Sequence, residues 1–134
     1  MNNQKKNIEQ VTTAIVDAVL KVHKTLGPGL LESSYQQCLE LELRKRGLKV
    51  ETEVVLPIIY DGTRLDAGYR FDMRIEEMIV IENKVVEKIL PVHEAQLLTY
   101  LKLSGLHLGF IINWNVALVK YGIKRMVNHL EPEC

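Results

Sequence analysis

The chain has no excess charge of either sign: 17 Lys and Arg balance 17 Asp and Glu over 134 residues. Such a balance argues against attachment to a polyanion by bulk charge, though a local basic patch stays compatible with it. Cysteine is scarce. Cys38 and Cys134 match no CxxC or Cys/His spacing, so no zinc motif is present. Cys38 falls among apolar positions of a predicted helix, where a reduced thiol behaves as a small hydrophobe. Long apolar runs are missing too. None approaches membrane-span length, and the first ten residues lack the apolar centre of a signal peptide, so the expectation is a soluble cytoplasmic protein without a membrane partner. Repeats, linkers and low-complexity tracts are absent. The one glycine cluster, Gly27-Pro28-Gly29, lacks the lysine and threonine of a phosphate-binding loop.

What is present fits one domain spanning 1–134. At 47% hydrophobic and 25% charged the composition is ordinary for a globular chain. A chain this long buries about two-thirds of its unfolded surface, so neither disulfide nor structural metal is needed to fold it.

Helical periodicity marks Asn7–Leu26, where Ile8, Val11, Ile15, Val19, Val22 and Leu26 recur every three or four residues, with Asn7 as the cap. Gly27-Pro28-Gly29 breaks it. A second helix is predicted over Leu30–Arg46, with Leu31, Tyr35, Cys38, Leu39 and Glu42 along one stripe and Gly47 as the stop. The period then falls to two. Val50, Thr52, Val54 and Leu56 alternate with more polar neighbours, as in a strand, and Pro57 ends or edges it. Asp61-Gly62 supplies a hairpin turn. Pro91 opens a third helix, about Val92–Leu103, closed by Ser104-Gly105. Leu106–Ile112 is an apolar run interrupted only by His107, as in a strand buried on both faces. Asn113-Trp114-Asn115 reads as a turn, and Ile123–Val127 as a last short strand. The order predicts an α+β or mixed α/β fold, with helices on the faces of a central sheet that contains antiparallel hairpins.

Between the Asp-Gly hairpin and the third helix lies Y-R-F-D-M-R-I-E-E-M-I-V-I-E-N-K, Tyr69–Lys84. It reads as two strands, and their register decides its meaning. A two-residue turn at Glu76-Glu77 mixes carboxylates with apolar neighbours on each face. An odd turn centred on Glu77 gathers Phe71, Met73, Ile75, Ile79 and Ile81 on one face and Asp72, Glu82 and Lys84 on the other. A one-residue slip flips every side chain, and the odd turn sorts polarity better. In that register Asp72 lies across from Glu82. Two like charges so close repel unless a cation neutralises them or one takes a proton. A hard divalent ion, Mg²⁺ or Mn²⁺, suits such an oxygen-donor pair. Lys84 shares the face, where it could orient an attacking water or offset charge on a phosphate. A plain salt bridge on a solvated face is the alternative reading.

Two further groups are candidates. Glu32 and Tyr35 share a face of the second helix, where Glu32 serves either the site or the helix dipole. His93, Gln96 and Tyr100 share a face of the third helix. Gln96 could position a water or a phosphate oxygen, and so could His93, which otherwise reads as a surface residue. Tyr100 otherwise reads as a half-buried core residue.

The segments G-L-L-E-S-S-Y, F-D, I-E-N-K, P-V-H-E-A-Q-L-L-T-Y-L-K-L-S-G and I-I-N-W-N-V, in that order, resemble the GxxExxY proteins, a family similar to the PD-(D/E)XK nuclease superfamily. The likeness runs from about Val11 to Val127. It implies a restriction-endonuclease-like core of helix, three antiparallel strands, helix and a further strand. It also implies roles: Asp72 as the aspartate of the PD element, Glu82 and Lys84 as the (D/E)xK pair, Glu32 as an additional acidic residue near the metal, and Gln96 as a polar residue on the following helix. Metal ligands would be Glu32, Asp72 and Glu82, and catalytic residues Asp72, Glu82, Lys84 and Gln96. Phe71 stands where the superfamily motif has proline. The function implied is a Mg²⁺- or Mn²⁺-dependent nuclease acting on DNA, with RNA as the second candidate substrate, in which water attacks phosphorus. Arg44, Lys45, Arg46, Lys49, Lys88, Lys120, Lys124 and Arg125 are candidates to track the phosphate backbone, or else solvated surface. Zero net charge makes a homodimer or partner protein the expected source of extra grip. The alternative is a catalytically inactive nuclease-fold module that binds nucleic acid or a partner protein.

Overall fold

The computed structural model describes residues 6–129, so Cys134 lies outside the described residues. Asn7 caps α1 (Ile8–Leu26) by accepting a hydrogen bond from the amide of Glu9, while Gln10 reaches back to the amide of Asn7. Helix α1 ends at Gly27, whose φ of 70° favours a residue without Cβ. Helix α2 (Glu32–Lys45) starts two residues later than the periodicity predicts. Leu31 is 74% exposed, and the buried stripe is Tyr35, Leu39 and Leu43, with Cys38 at its margin. Glu42 faces outward to Lys21 at 3.0 Å. The predicted stripe therefore ran one row off the true apolar face.

Five strands form one sheet in the order β1 (Val50–Tyr60), β2 (Thr63–Ile75), β3 (Ile79–Lys84), β4 (Leu108–Asn113) and β5 (Ile123–Val127). All neighbours are antiparallel except β3 and β4, which are parallel. A parallel pair needs a crossover, and α3 (Pro91–Ser104) provides it. The turn between β1 and β2 is Asp61-Gly62, with φ of 51° and 74°, as the Asp-Gly signal predicts. Strand β4 is buried along its whole length, in accord with its unbroken apolar sequence. Gly122 must be glycine, because a Cβ there would sit 2.2 Å from the carbonyl of Asn113.

Helices α1 and α2 cover one face of the sheet. Val11, Ile15, Val19, Tyr35 and Leu39 pack on Met73, Ile75, Ile79, Ile81, Phe110 and Ile112. Helix α3 covers the other, where Leu97, Tyr100 and Leu101 pack on Leu56, Val80 and Ile111. This is the mixed α+β, restriction-endonuclease-like arrangement: an antiparallel hairpin pair, a crossover helix and a further strand, flanked by helices. Among the described residues no helix is long and apolar enough to cross a membrane.

The decisive register is the odd one. Ile75 pairs with Ile79 and Met73 with Ile81, across a turn of Glu76, Glu77 and Met78. No glycine is needed, because Glu76 and Glu77 themselves adopt φ of 53° and 57°. Their conformation is held from outside. Glu76 donates its amide to the carbonyl of Lys49 at 2.9 Å and accepts the amide of Lys49 on its carboxylate, while Lys49 Nζ reaches Glu77 at 3.1 Å. One expected member of the apolar face is elsewhere. Phe71 lies on the α3 side against Tyr100, with ring centroids 6.1 Å apart. The cause lies across the ladder. Glu53 takes a φ of 51°, and the pairing that links Thr52 to Met73 and Val54 to Phe71 skips the Glu53–Asp72 position. The local twist there sends Phe71 to the face opposite Met73.

Candidate functional site

Strands β2 and β3 stop pairing at Met73 and Ile81. Past that point β3 continues alongside β4, and β2 continues alongside β1. The backbone groups freed by the separation need partners. Two carboxylates supply them. Glu82 Oε2 accepts the amide of Asp72 at 2.7 Å, and Asp72 Oδ2 accepts the amide of Asn83 at 2.8 Å. Side chains thus replace ladder bonds across the opening, and the exchange brings the two carboxyl groups close enough for each to act on the charge of the other.

The electrostatics follow from the burial. Only 5% of Glu82 is exposed. Burial, then the Asp72 carboxylate, pushes the Glu82 carboxyl up to about 8, with the charge of Lys84 a partial offset. Burial also raises Asp72, opposed mainly by the Asn83 amide. Glu32, in the first turn of α2, is raised by burial and then by Asp72. On the α3 side the phenol of Tyr100 is raised by burial, then by Glu82 and Asp72. The pair therefore needs a positive charge or a proton. One buried and one half-buried carboxylate, with a third on the facing helix, are hard oxygen donors whose chemistry fits a divalent cation.

The predicted residues are not equally close. Asp72 and Glu82 meet. Lys84 is half-buried and its charge reaches both, yet it closes no ion pair with either, so a plain salt bridge does not describe it. Glu32 feels Asp72 and Lys84. Among the described residues, though, no three His, Cys, Asp or Glu side chains converge as a ready ligand set. Gln96 is exposed on α3, one turn before Tyr100, with no hydrogen bond to the carboxylates. His93 serves the helix: its Nδ1 accepts the amide of Leu90 at 3.0 Å and caps α3. Beside Asp72 opens a groove of about 620 Å³ lined by Glu32, Gln36, Glu40, Thr52 and Glu53.

The basic residues do not form one patch around the site. Arg44 and Arg46 pair with Glu40 and Glu42 near the end of α2. At 1.5 Å per residue, Arg44 is about 18 Å along the axis from Glu32. Lys49 pairs with Glu77 and Lys124 with Glu94. Lys88 is exposed in the loop after Lys84 and is the nearest of the set in sequence.

The motif tyrosine is structural. Tyr35 is fully buried; its hydroxyl donates to the carbonyl of Gly27 and accepts the amide of Leu30 at 3.2 Å. Its ring stacks on Trp114, with centroids 4.8 Å apart and planes 6° apart. Trp114, expected in an ordinary turn, is fully buried. Its Nε1 donates to Asn83 Oδ1 at 3.0 Å, and its carbonyl meets His23 Nε2 at 3.1 Å. Asn83, His23 and Gln36 were not apparent as candidates. The available signals were that Asn83 separates Glu82 from Lys84 and that Gln36 falls one helical turn after Glu32.

No curated protein and no solved structure matches the chain. A family model described as the PD-(D/E)XK nuclease superfamily matches residues 9–126, bounds that enclose α2, β1, β2, β3, α3 and β4 and all but one end residue each of α1 and β5. The opened β2–β3 pair bearing Asp72, Glu82 and Lys84, on a helix–hairpin–helix–strand core, belongs to that match: this chain is a member of the PD-(D/E)XK nuclease superfamily.

Proposed function

We propose that the chain is a divalent-metal-dependent nuclease that hydrolyses phosphodiester bonds, in DNA before RNA, and that within the superfamily it falls with the GxxExxY proteins. The observation that carries the reading is the Asp72–Glu82 pair: each carboxyl group accepts a backbone amide from the other's strand, and burial beside Asp72 pushes the Glu82 carboxyl up to about 8. Asp72 and Glu82 would hold Mg²⁺ or Mn²⁺, with Glu32 contributing from α2. When bound, the cation supplies the positive charge the pair lacks, a water of lowered pKa and Lewis-acid stabilisation of the phosphate. Lys84 orients the attacking water and offsets charge gathering on the phosphate oxygens. Gln96 is assigned a supporting contact to water or phosphate. Zero net charge supports a grip completed by a homodimer or a partner protein. The setting we assign is the cytoplasm, where Cys38 stays a thiol.

The test is incubation of wild type, Glu82→Ala and Lys84→Ala with single- and double-stranded DNA and RNA in Mg²⁺ or Mn²⁺. Cleavage by wild type and by neither variant supports the proposal. Retained binding without cleavage by any of the three overturns it in favour of an inactive nucleic-acid-binding module.

A further inference from the structure

One side chain touches every strand that shapes the opening. Gln36 lies on α2, one turn beyond Glu32, and is half-buried in the groove beside Asp72. Its Nε2 donates to Glu53 Oε1 on β1 at 3.0 Å and makes a longer contact of 3.5 Å with the carbonyl of Asp72 on β2. Its Oε1 accepts from Asn83 Nδ2 on β3 at 3.3 Å. Asn83 is fully buried and uses both ends of its amide. The nitrogen also faces Met73 Sδ at 3.3 Å, and the oxygen accepts from Trp114 Nε1. The main-chain amide of Asn83 is the donor that fixes Asp72 Oδ2. Residue 83 also sits between Glu82 and Lys84, so its rotation sets where both of their side chains leave the strand.

We infer that Gln36 is a positioning residue, which through Asn83 holds the Asp72–Glu82 pair in its cation-binding geometry, and that Trp114 at the far end of this relay reports on cation binding. Two features separate this from packing. Gln36 bonds the residue at the positive-φ position, Glu53, and the carbonyl of Asp72, the two partners whose ladder position is skipped. Its hydrogen bonds run to polar groups on three strands. Outer partners of ligating carboxylates typically change metal affinity by about 10- to 100-fold when removed. The inference rests on the cation reading of the site above.

The test uses the chain's one tryptophan. Mg²⁺ is titrated into ¹⁵N-labelled protein while the Trp114 indole N–H resonance is followed, and binding is measured in parallel by calorimetry. Gln36→Met keeps length and helix propensity but removes both hydrogen-bonding ends. Gln37→Met, on the next residue of the same helix, is the control. Expected are an indole shift on saturation in wild type and in Gln37→Met, a Kd raised about 10-fold or more in Gln36→Met, and a displaced indole resonance in metal-free Gln36→Met with little change in Tm. Wild-type binding with an unchanged Kd in Gln36→Met overturns the positioning role. An indole resonance indifferent to bound Mg²⁺ overturns the reporter role. Absence of Mg²⁺ and Mn²⁺ binding by wild type overturns the cation reading itself, and this inference with it.

Discussion

Replacing Glu82 by Gln should stabilise the protein in the absence of divalent cations, and the gain should grow with pH. In the folded chain the Glu82 carboxyl is pushed up to about 8 by burial and by Asp72, against an ordinary 4.5. A carboxyl raised by folding is most compatible with the fold when protonated. Its contribution is fully present below the unfolded value and is lost as pH climbs toward the folded one. At 1.36 kcal/mol per pH unit, the separation corresponds to about 5 kcal/mol at pH 8 and above. Near pH 5.5 only about 1 kcal/mol of that has been lost, so wild type should lose about 3 kcal/mol between pH 5.5 and 8.5 through this residue. Glutamine accepts the Asp72 amide as Glu82 Oε2 does and offers its NH₂ to Asp72, without a charge to desolvate.

Urea unfolding in EDTA at several pH values across that window measures the effect directly. Wild type should weaken toward alkaline pH, while Glu82→Gln stays nearly level and exceeds it by about 2–5 kcal/mol at pH 8.5. For a chain of this length, that is a Tm gain of roughly 7–17 °C. Mg²⁺ should then close the gap from the other side. At a hundred times its Kd it stabilises wild type by about 2.7 kcal/mol and the variant by almost nothing. A wild-type curve parallel to that of Glu82→Gln across the window would refute the claim that the pair stores this electrostatic cost.

Other outcomes follow from the same contacts. Tyr35→Phe, which strips the partner of the Gly27 carbonyl and the Leu30 amide, should destabilise by about 1–3 kcal/mol in chemical unfolding. Trp114→Ala removes a fully buried ring stacked on Tyr35 and the donor to Asn83; about 3–5 kcal/mol is expected from the same assay, enough to leave little folded protein at 37 °C. Gly109→Ala should cost about 1–3 kcal/mol, since its Cβ would meet Leu97 side-chain carbons at 3.0 and 3.1 Å and the Val80 carbonyl at 3.2 Å. Arg44→Ala should leave cleavage unchanged, because the residue lies about 18 Å along α2 from Glu32, and should cost about 1–3 kcal/mol of stability, because its guanidinium pairs with Glu40 and donates to the Val50 carbonyl at 2.8 Å; a lost activity would place the substrate path along α2.

The sequence made the β2–β3 hairpin legible because only one register sorts its polarity, and the observed pairs Ile75–Ile79 and Met73–Ile81 are that register. Helix and strand placement was legible for the same reason, periodicity against a buried face. What stayed hidden was whatever depends on a departure from regularity. Phe71 follows the alternation in sequence but not in space, because a left-handed Glu53 on the neighbouring strand twists the ladder, and no residue type announces a positive-φ glutamate. Gln36 and Asn83 stayed hidden because neither is charged, and a chemical search starts from charge. Yet the structure shows why neutral amides belong there. The opening between β2 and β3 already holds two carboxylates that repel, and another charge would have to be desolvated beside them. An amide offers donors and an acceptor without adding to that cost, which lets Asn83 bind Asp72 through its backbone and Trp114 through its side chain at once. On the proposed reading the acidic residues set what the site holds, and the amides behind them set how firmly its geometry is kept. The same division explains why Tyr35, a motif residue, lies in the core while the motif's Glu32 lines the groove: one helix stacks a buried ring on Trp114 and carries a carboxylate at the edge of the opening.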